Sequence, residues 1–401
     1  MNIVFLTLVY PFREMESNIY SDLMDEFAAR GHSVTVFCPD EKRSLGKPGK
    51  YSRNGIAIVR VPTGKVTKAF LPIKALNMLL IERRYEKAVS LFGPPGIALL
   101  IYSTPPISFL RVVRTVKRSK VCKTYLLLKD IFPQNAVDLG LLKESCLFWF
   151  LLRTKEQELY RISDHIGCMS PANVEYIKSH NPSVASYKIH VCPNCIRPTP
   201  LDMRLGKDEA LLKMLGIPAE RFNLIYGGNL GKPQGVGFII EALSAVSEDP
   251  ETFTTIVGDG TEYCRLKAAI EARQLRWVKL IPAIPKECYL RLLASMDAGL
   301  VFLDARFSIP NFPSRVLDYL DAGLPVIACT DRVSDIRTEI CESGAGLWCE
   351  SGDAKAYSSI VTRMKLDVLG REAMAIKARE LLRREYSVES VADSMLWRVD
   401  R

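Results

Sequence analysis

At 401 residues, 48% hydrophobic and 25% charged, the chain exceeds one ordinary core and is too apolar for a disordered protein. Two globular domains are the default expectation. The formal net charge of +9 is a modest excess, and no run interleaves basic and aromatic residues in a nucleic-acid module, so nucleic acid is not an expected partner.

Eleven cysteines are scattered without a framework, as in a reducing compartment, and four dispersed histidines do not suggest a metal site. No apolar run reaches the roughly 18 residues of a membrane span. The N-terminal run to Pro11 has no basic region ahead of it, so no secretory leader is expected. A cytoplasmic location follows. The basic clusters Arg83–Arg84 and Arg111–Lys120 read either as solvated helix faces or as a peripheral contact with the inner face of the cell membrane.

The chain opens with a strand over 2–8, a loop over 9–17, a helix and a strand over 33–37. The helix carries Ile19, Leu23 and Phe27 at four-residue spacing and ends at Arg30-Gly31. The loop in this βαβ unit has no glycine, so the dinucleotide fingerprint is absent and a nicotinamide cofactor is disfavoured. That loop places Arg13, Glu16 and Asn18 at the rim of the first strand.

Strands follow at 56–61, 98–102, 124–128, 165–169 and 188–192, with helices at 71–89 and 144–161. The second helix is unusually aromatic at Phe148, Trp149 and Phe150, which leaves burial and membrane contact both open. Lys129 and Asp130 stand just past the buried strand 124–128, where a charged pair is costly without a purpose; a salt-bridged loop is the plain alternative. Cys192 and Cys195 form a CxxC without the second pair that zinc requires.

Three prolines between Pro193 and Pro200 mark a linker. The expected domains are 1–195 and 196–384, with helix 385–401 free to join either. In the second half, strands fall at 223–226, 254–257, 278–281, 299–303 and 325–329. Helices fall at 236–246, 262–273, 286–295, 314–322 and 354–384, the last broken at Gly370. This alternation predicts an α/β protein of two doubly wound, Rossmann-like domains facing across a cleft, with ligands beyond the carboxyl ends of the strands.

Four segments follow those strand ends and should share one crevice rim; Pro282–Pro285 would form a wall for a base, and the other three carry the candidate chemistry. Gly227–Gly235 has four glycines for close backbone approach and Lys232 for a phosphate. Gly258–Glu262 contains Asp259 and a turn into a helix that Thr261 would cap. The third runs from Arg306 to Ala328. There Ser314 is a natural N-cap, Gly323 a natural stop, and Arg315 and Asp318 share a helix face three residues apart. A helix N-terminus with a carboxylate one turn along suits a nucleotide, with diphosphate at the cap, ribose on Asp318 and Arg306 as a second cation.

The order of Gly227–Gly235, Val257–Glu262, Asp297–Leu303 and Pro313–Ala328 resembles the GT-B glycosyltransferases of family four. Ala29–Val36 and Lys129–Gly140 resemble the branch that builds bacterial surface polysaccharides, O-antigen and capsule. The resemblance implies transfer of a hexosyl or N-acetylhexosaminyl group from a nucleotide-sugar, a UDP-sugar first, to a lipid-linked or saccharide acceptor. It also implies retention of anomeric configuration, with neither metal nor cofactor. By that resemblance Asp318 holds the ribose hydroxyls, Arg315 and Lys232 face the diphosphate, Ser314 adds the cap, and the acceptor lies against the first domain.

The chain departs from the family pattern where Pro310 replaces the first of two glutamates. Asn229 and Gln234 stand at the usual arginine and lysine positions, and the glycine pair after the first strand is missing. Asp130 is the expected residue for orienting or deprotonating an acceptor hydroxyl, with Lys129 beside it and Arg315 on the leaving group. A nucleotide-sugar 2-epimerase of the same fold and a non-catalytic scaffold of a polysaccharide assembly complex are the alternatives.

Overall fold

A computed structural model describes residues 1–11, 16–42, 48–64, 71–104, 107–118, 122–200 and 206–401, with side chains in these ranges except at 71–79 and 108. Arg13 lies outside the described residues, as do the side chains of Lys74, Leu76 and Leu79 in the helix at 71. The chain divides into two compact units. One is Met1–Arg197 with Val388–Arg401, and the other is Pro198–Ser387.

The first unit is built on strands β1 (Asn2–Leu6), β2 (Ser33–Asp40), β3 (Gly49–Arg53), β4 (Ile56–Pro62), β5 (Leu99–Ser103), β6 (Lys123–Leu128), β7 (His165–Cys168) and β8 (Ile189–Val191). They form one sheet in the order β3-β4-β2-β1-β5-β6-β7-β8, parallel throughout except for β3 on β4. Ile3–Leu6, Leu99–Tyr102 and Thr124–Leu128 are continuously buried, as expected of strands covered on both faces. The terminal helix Val388–Val399 belongs to this unit. Its Val388, Val391, Ala392 and Met395 join Phe5, Phe27 and Ile101 in one core cluster. Arg30 ties the helix Ile19–Ala29 to it through Asp393 at 2.5 Å and the Glu389 carbonyl at 3.0 Å.

The second unit holds β9 (Phe222–Gly227), β10 (Thr252–Val257), β11 (Val278–Ile281), β12 (Ala298–Phe302), β13 (Val326–Thr330) and β14 (Gly346–Glu350). Its order, β11-β10-β9-β12-β13-β14, is fully parallel and is the doubly wound order of a Rossmann fold. The strand order reverses between β9 and β12, so a crevice is expected outside their carboxyl ends. Each unit is thus a Rossmann-like α/β domain.

Several local expectations need correction. β3 is an exposed edge strand, Gly-Lys-Tyr-Ser-Arg, whose polar composition hides it; β14 is a short strand after the turn at Gly344. The helix at 354 does not break at Gly370. It ends at Leu366, and Asp367 caps the next helix, Val368–Glu385, by accepting the Gly370 N–H at 2.8 Å. Helices at Pro171–His180, Glu209–Leu215 and Ile336–Glu342 fill stretches left unassigned above, and His180 is the last residue of the first of these. Among the described residues no helix is long and apolar enough to cross a membrane.

Candidate functional site

The strongest site lies in the second unit at the β9–β12 reversal. β9 pairs with β10 over six residues but with β12 only at Leu224–Ala298 and Ile225–Gly299. Beyond that point the two strands splay, leaving backbone groups that must find other partners. Tyr319 supplies them. Its hydroxyl accepts the Gly227 N–H at 3.0 Å and donates to the Leu300 carbonyl at 3.1 Å. Its ring sits where a side chain at position 299 would be, which explains Gly299.

Tyr319 belongs to the helix Arg315–Ala322, so this contact sets that helix at the strand ends. Gly323 stops it with φ +72, and Arg379 donates to the Ala322 carbonyl at 3.3 Å. Ser314 does not act as a side-chain cap. Its backbone is already helical and its side chain is exposed without a capping bond, so the N-terminal N–H groups have no protein side-chain cap from it.

Arg315 is the centre of the arrangement. Its guanidinium lies over the Tyr226 ring, 4.3 Å from the centroid, and Nη1 is enclosed without a hydrogen-bond partner. The same guanidinium faces the backbone of Gly228, where an added Cβ would lie 3.4 Å from Cζ; φ +122 restricts that position to glycine in any case. Tyr289 stands nearby with its hydroxyl enclosed and outside hydrogen-bond geometry, beside the Tyr319 hydroxyl and in the field of Asp318 and Arg315. Burial above all pushes the Tyr289 phenol up, so it stays a neutral donor. Two such atoms beside one strand end are costly in a folded protein and point to a ligand that would satisfy them. Asp318 is half-buried on the same helix one turn along.

The glycine loops are laced backbone to backbone. Gly228 N–H reaches Val257 O and Leu230 N–H reaches Asp259 O, each at 2.9 Å, and Glu262 N–H returns to Leu230 O at 2.9 Å. A Cβ on Gly258 would overlap the Gly228 carbonyl. Asp259 is exposed, and its carboxylate accepts the Gly260 N–H at 2.8 Å. Thr261 caps no helix; the helix begins at Tyr263 with no side-chain cap.

Gln234 is buried, and its Oε1 accepts from Gly231 N at 3.0 Å and from Asn229 Nδ2 at 3.3 Å. Those two polar residues therefore brace the loop. Lys232 is exposed and carries no ion pair among the described residues. Arg306 is exposed but held in a fork by Asp304, Nε–Oδ1 2.9 Å and Nη2–Oδ2 2.8 Å. Asp304 is itself pinned, its N–H donating to the Pro233 carbonyl at 2.9 Å.

In the first unit, Lys129 and Asp130 do not pair with each other. Lys129 Nζ donates to the carbonyls of Cys192 and Pro193 at 3.1 and 3.0 Å. Both carboxylate oxygens of Asp130 accept from Asn135 Nδ2, at 2.8 and 2.6 Å. Burial pushes the Asp130 carboxyl up to about 7; the Ile131 N–H and the Asn135 amide pull it back only partly. Glu16 is exposed, and its carbonyl accepts from Arg53 at 2.7 Å. Asn18 is the N-cap of helix Ile19–Ala29, accepting from Tyr20 N and Ser21 N at 2.9 Å each.

Tyr226, Tyr289, Tyr319 and Asn135 escape the sequence reading. The only signal for the tyrosines is a phenol in an otherwise aliphatic buried strand or helix face. Among the described residues no group of three or more His, Cys, Asp or Glu is placed to hold a metal.

Comparison with known proteins bears on this site. Residues 207–381, within the second unit, match the family model for glycosyl transferases group 1. The probable glycosyltransferase WbjE of Pseudomonas aeruginosa is 24% identical over 298 residues, covering 72% of this chain and 71% of that protein. The structure of WaaG, a glycosyltransferase involved in lipopolysaccharide biosynthesis, superposes with a TM-score of 0.68 at 15% identity, over 98% of this chain and 99% of that one. Anabaena HepE in complex with UDP-glucose gives 0.69 at 14% identity, over 100% and 99%. The fold is that of the GT-B glycosyltransferases.

Proposed function

We propose that this chain, whose second unit matches the glycosyl transferases group 1 family, moves a sugar from a nucleotide-sugar to a lipid-linked or saccharide acceptor in cell-surface polysaccharide synthesis. The observation that carries the reading is Arg315: a cation over Tyr226, with an enclosed and unsatisfied N–H, at the β9–β12 reversal. A diphosphate would satisfy it, and charge building on a leaving diphosphate would be stabilised there without rearrangement. Asp318, one turn along, takes the ribose hydroxyls, and Lys232 is the exposed cation of the glycine loop. The UDP-glucose complex of the similar HepE supports a UDP-sugar as the first donor to test.

The acceptor belongs to the first unit in this reading. Asp130, with a carboxyl at about 7, is poised to orient an acceptor hydroxyl and take its proton. Lys129 is spent on two carbonyls and serves to position the segment. The reaction is proposed to retain anomeric configuration, with protein cations in place of a metal.

Calorimetric titration with UDP, UDP-glucose and UDP-N-acetylglucosamine tests the donor site. Wild-type protein should bind UDP, and Asp318→Ala should weaken it about tenfold or more, as loss of a charged hydrogen bond implies. Unchanged UDP affinity in that variant would overturn the assignment. Release of UDP from a UDP-sugar only when acceptor lipid is present distinguishes a transferase from an epimerase and from a scaffold.

A further inference from the structure

Asp331 stands directly after β13, at the carboxyl end of the second sheet, and is 2% exposed. Among the described residues no lysine or arginine pairs with it; the adjacent Arg332 is exposed and pairs with Glu350. Three bonds from the chain itself take up the charge. Oδ1 accepts the N–H groups of Val333 and Ser334 at 3.0 and 2.8 Å, and Oδ2 accepts the Ser334 hydroxyl at 3.0 Å. Burial still pushes the carboxyl above its ordinary value. A neutral asparagine or serine could close the same turn without burying a charge, so the charge needs another reason.

That reason lies one bond further on. Ser334 Oγ accepts the backbone N–H of Asn311 at 2.9 Å. A hydroxyl can rotate either way, but a carboxylate on one side holds its proton there and turns the lone pairs to Asn311. The run of bonds is polarised in one direction, which strengthens each member. Asn311 lies three residues before Ser314 and four before Arg315, the first residue of the helix Arg315–Ala322.

The same segment is held a second time. Phe312 is 3% exposed and stacks on Tyr386, with centroids 5.3 Å apart and planes at 21°. The Tyr386 hydroxyl in turn donates to Glu339 at 3.0 Å, on the helix Ile336–Glu342 that begins two residues after Ser334. Both restraints on the entry to Arg315 therefore come from the chain that follows β13. Tyr319 fixes the middle of the ligand helix and Gly323 its end, so the entry needs a restraint of its own.

We infer that Asp331 and Ser334 are positioning residues for Arg315, acting through Asn311. The inference rests on the donor-site reading above and adds two residues to it that touch no ligand. Arg315 Nη1 is enclosed and awaits a partner, so a shift of the segment ahead of it displaces the cation from the diphosphate.

Calorimetric titration with UDP, and with uridine as the probe that lacks the diphosphate, tests this. Ser334→Ala removes the acceptor for the Asn311 N–H, and Asp331→Asn removes the charge at nearly constant shape. Each should weaken UDP binding about threefold to tenfold while uridine affinity stays within about twofold of wild type. The double variant should be no weaker than the weaker single one, because both changes break the same path. Ser334→Thr keeps the hydroxyl and should bind UDP within about twofold of wild type. UDP affinity unchanged in both single variants overturns this inference and leaves the donor site standing. Equal losses for UDP and uridine also overturn it, and make the segment a brace for the whole unit. Wild-type protein that binds no UDP overturns the donor-site reading and this inference with it.

Discussion

The guanidinium of Arg315 lies 4.3 Å above the centroid of the Tyr226 ring, and its Nη1 has no hydrogen-bond partner. The stacking keeps the cation in place and the enclosed N–H makes it costly, a combination that helps binding at the expense of the empty fold. Stability and affinity should then move in opposite directions. Arg315→Met preserves much of the apolar contact and removes the unsatisfied group, so the melting temperature should hold or rise. UDP affinity should fall by about tenfold to a hundredfold, the worth of a charged hydrogen bond. If melting temperature and affinity fell together, the arginine would be a structural residue and the donor assignment would fail.

Tyr319 closes the gap where β9 and β12 part, through bonds of 3.0 and 3.1 Å. Tyr319→Phe keeps the ring against Gly299 but strands the Gly227 N–H and the Leu300 carbonyl. Urea denaturation should show a loss of about 1–3 kcal/mol for the two orphaned groups. UDP affinity should weaken as well, since Gly227 begins the loop that Arg315 faces. A stability loss with unchanged affinity would separate the strand bridge from the ligand site.

Much of this architecture was legible because alternating β/α punctuation is local. Gly31 and Gly323 end helices at φ +82 and +72, and buried strands such as the one through Leu99–Tyr102 read as unbroken apolar runs. Edges were not legible: Gly49–Arg53 has no apolar period, because a solvent-facing edge strand needs none. The site was half legible. Glycines, Arg315 and Asp318 mark it in sequence, but the splaying of β9 from β12 is a pairing between distant segments, and Tyr319 is explained only by that pairing. Polar residues are ambiguous in sequence: Asn18 Oδ1, Gln234 Oε1 and the Lys129 ammonium each bond backbone groups of the chain itself. Propensity and spacing cannot tell a ligand-facing amide from one that braces its own loop.

Lys129 illustrates how that ambiguity is resolved. Its ammonium donates to the Cys192 and Pro193 carbonyls at 3.1 and 3.0 Å, tying the end of β6 to the chain after β8. Lys129→Met should therefore cost about 1–3 kcal/mol of stability. The turnover rate at saturating donor should stay within about twofold of wild type, well under 1 kcal/mol of barrier. A rate loss without a stability loss would put the ammonium on the acceptor instead.

Asp130 offers a test through pH. Burial, opposed by the Ile131 N–H and the Asn135 amide, raises its carboxyl from 3.8 to about 7. A folded pKa above the unfolded one means that the native state holds its proton longer. The stabilisation from Asp130 is then complete below about 4 and is lost as pH rises through about 7. Asp130→Asn removes this dependence, so the stability difference between the two proteins should shift by on the order of 2–4 kcal/mol in favour of the variant from pH 4 to pH 8. Urea denaturation at both pH values measures that shift and cancels every other titrating group. If Asp130 also takes the acceptor proton, the wild-type rate should rise with pH to a plateau above about 7, and the asparagine variant should lose that limb. A stability shift without a change in the rate profile would leave Asp130 as a buried acid and move the base elsewhere in the first unit; no shift in either would mean the carboxylate is ionised near its ordinary range and hydrated.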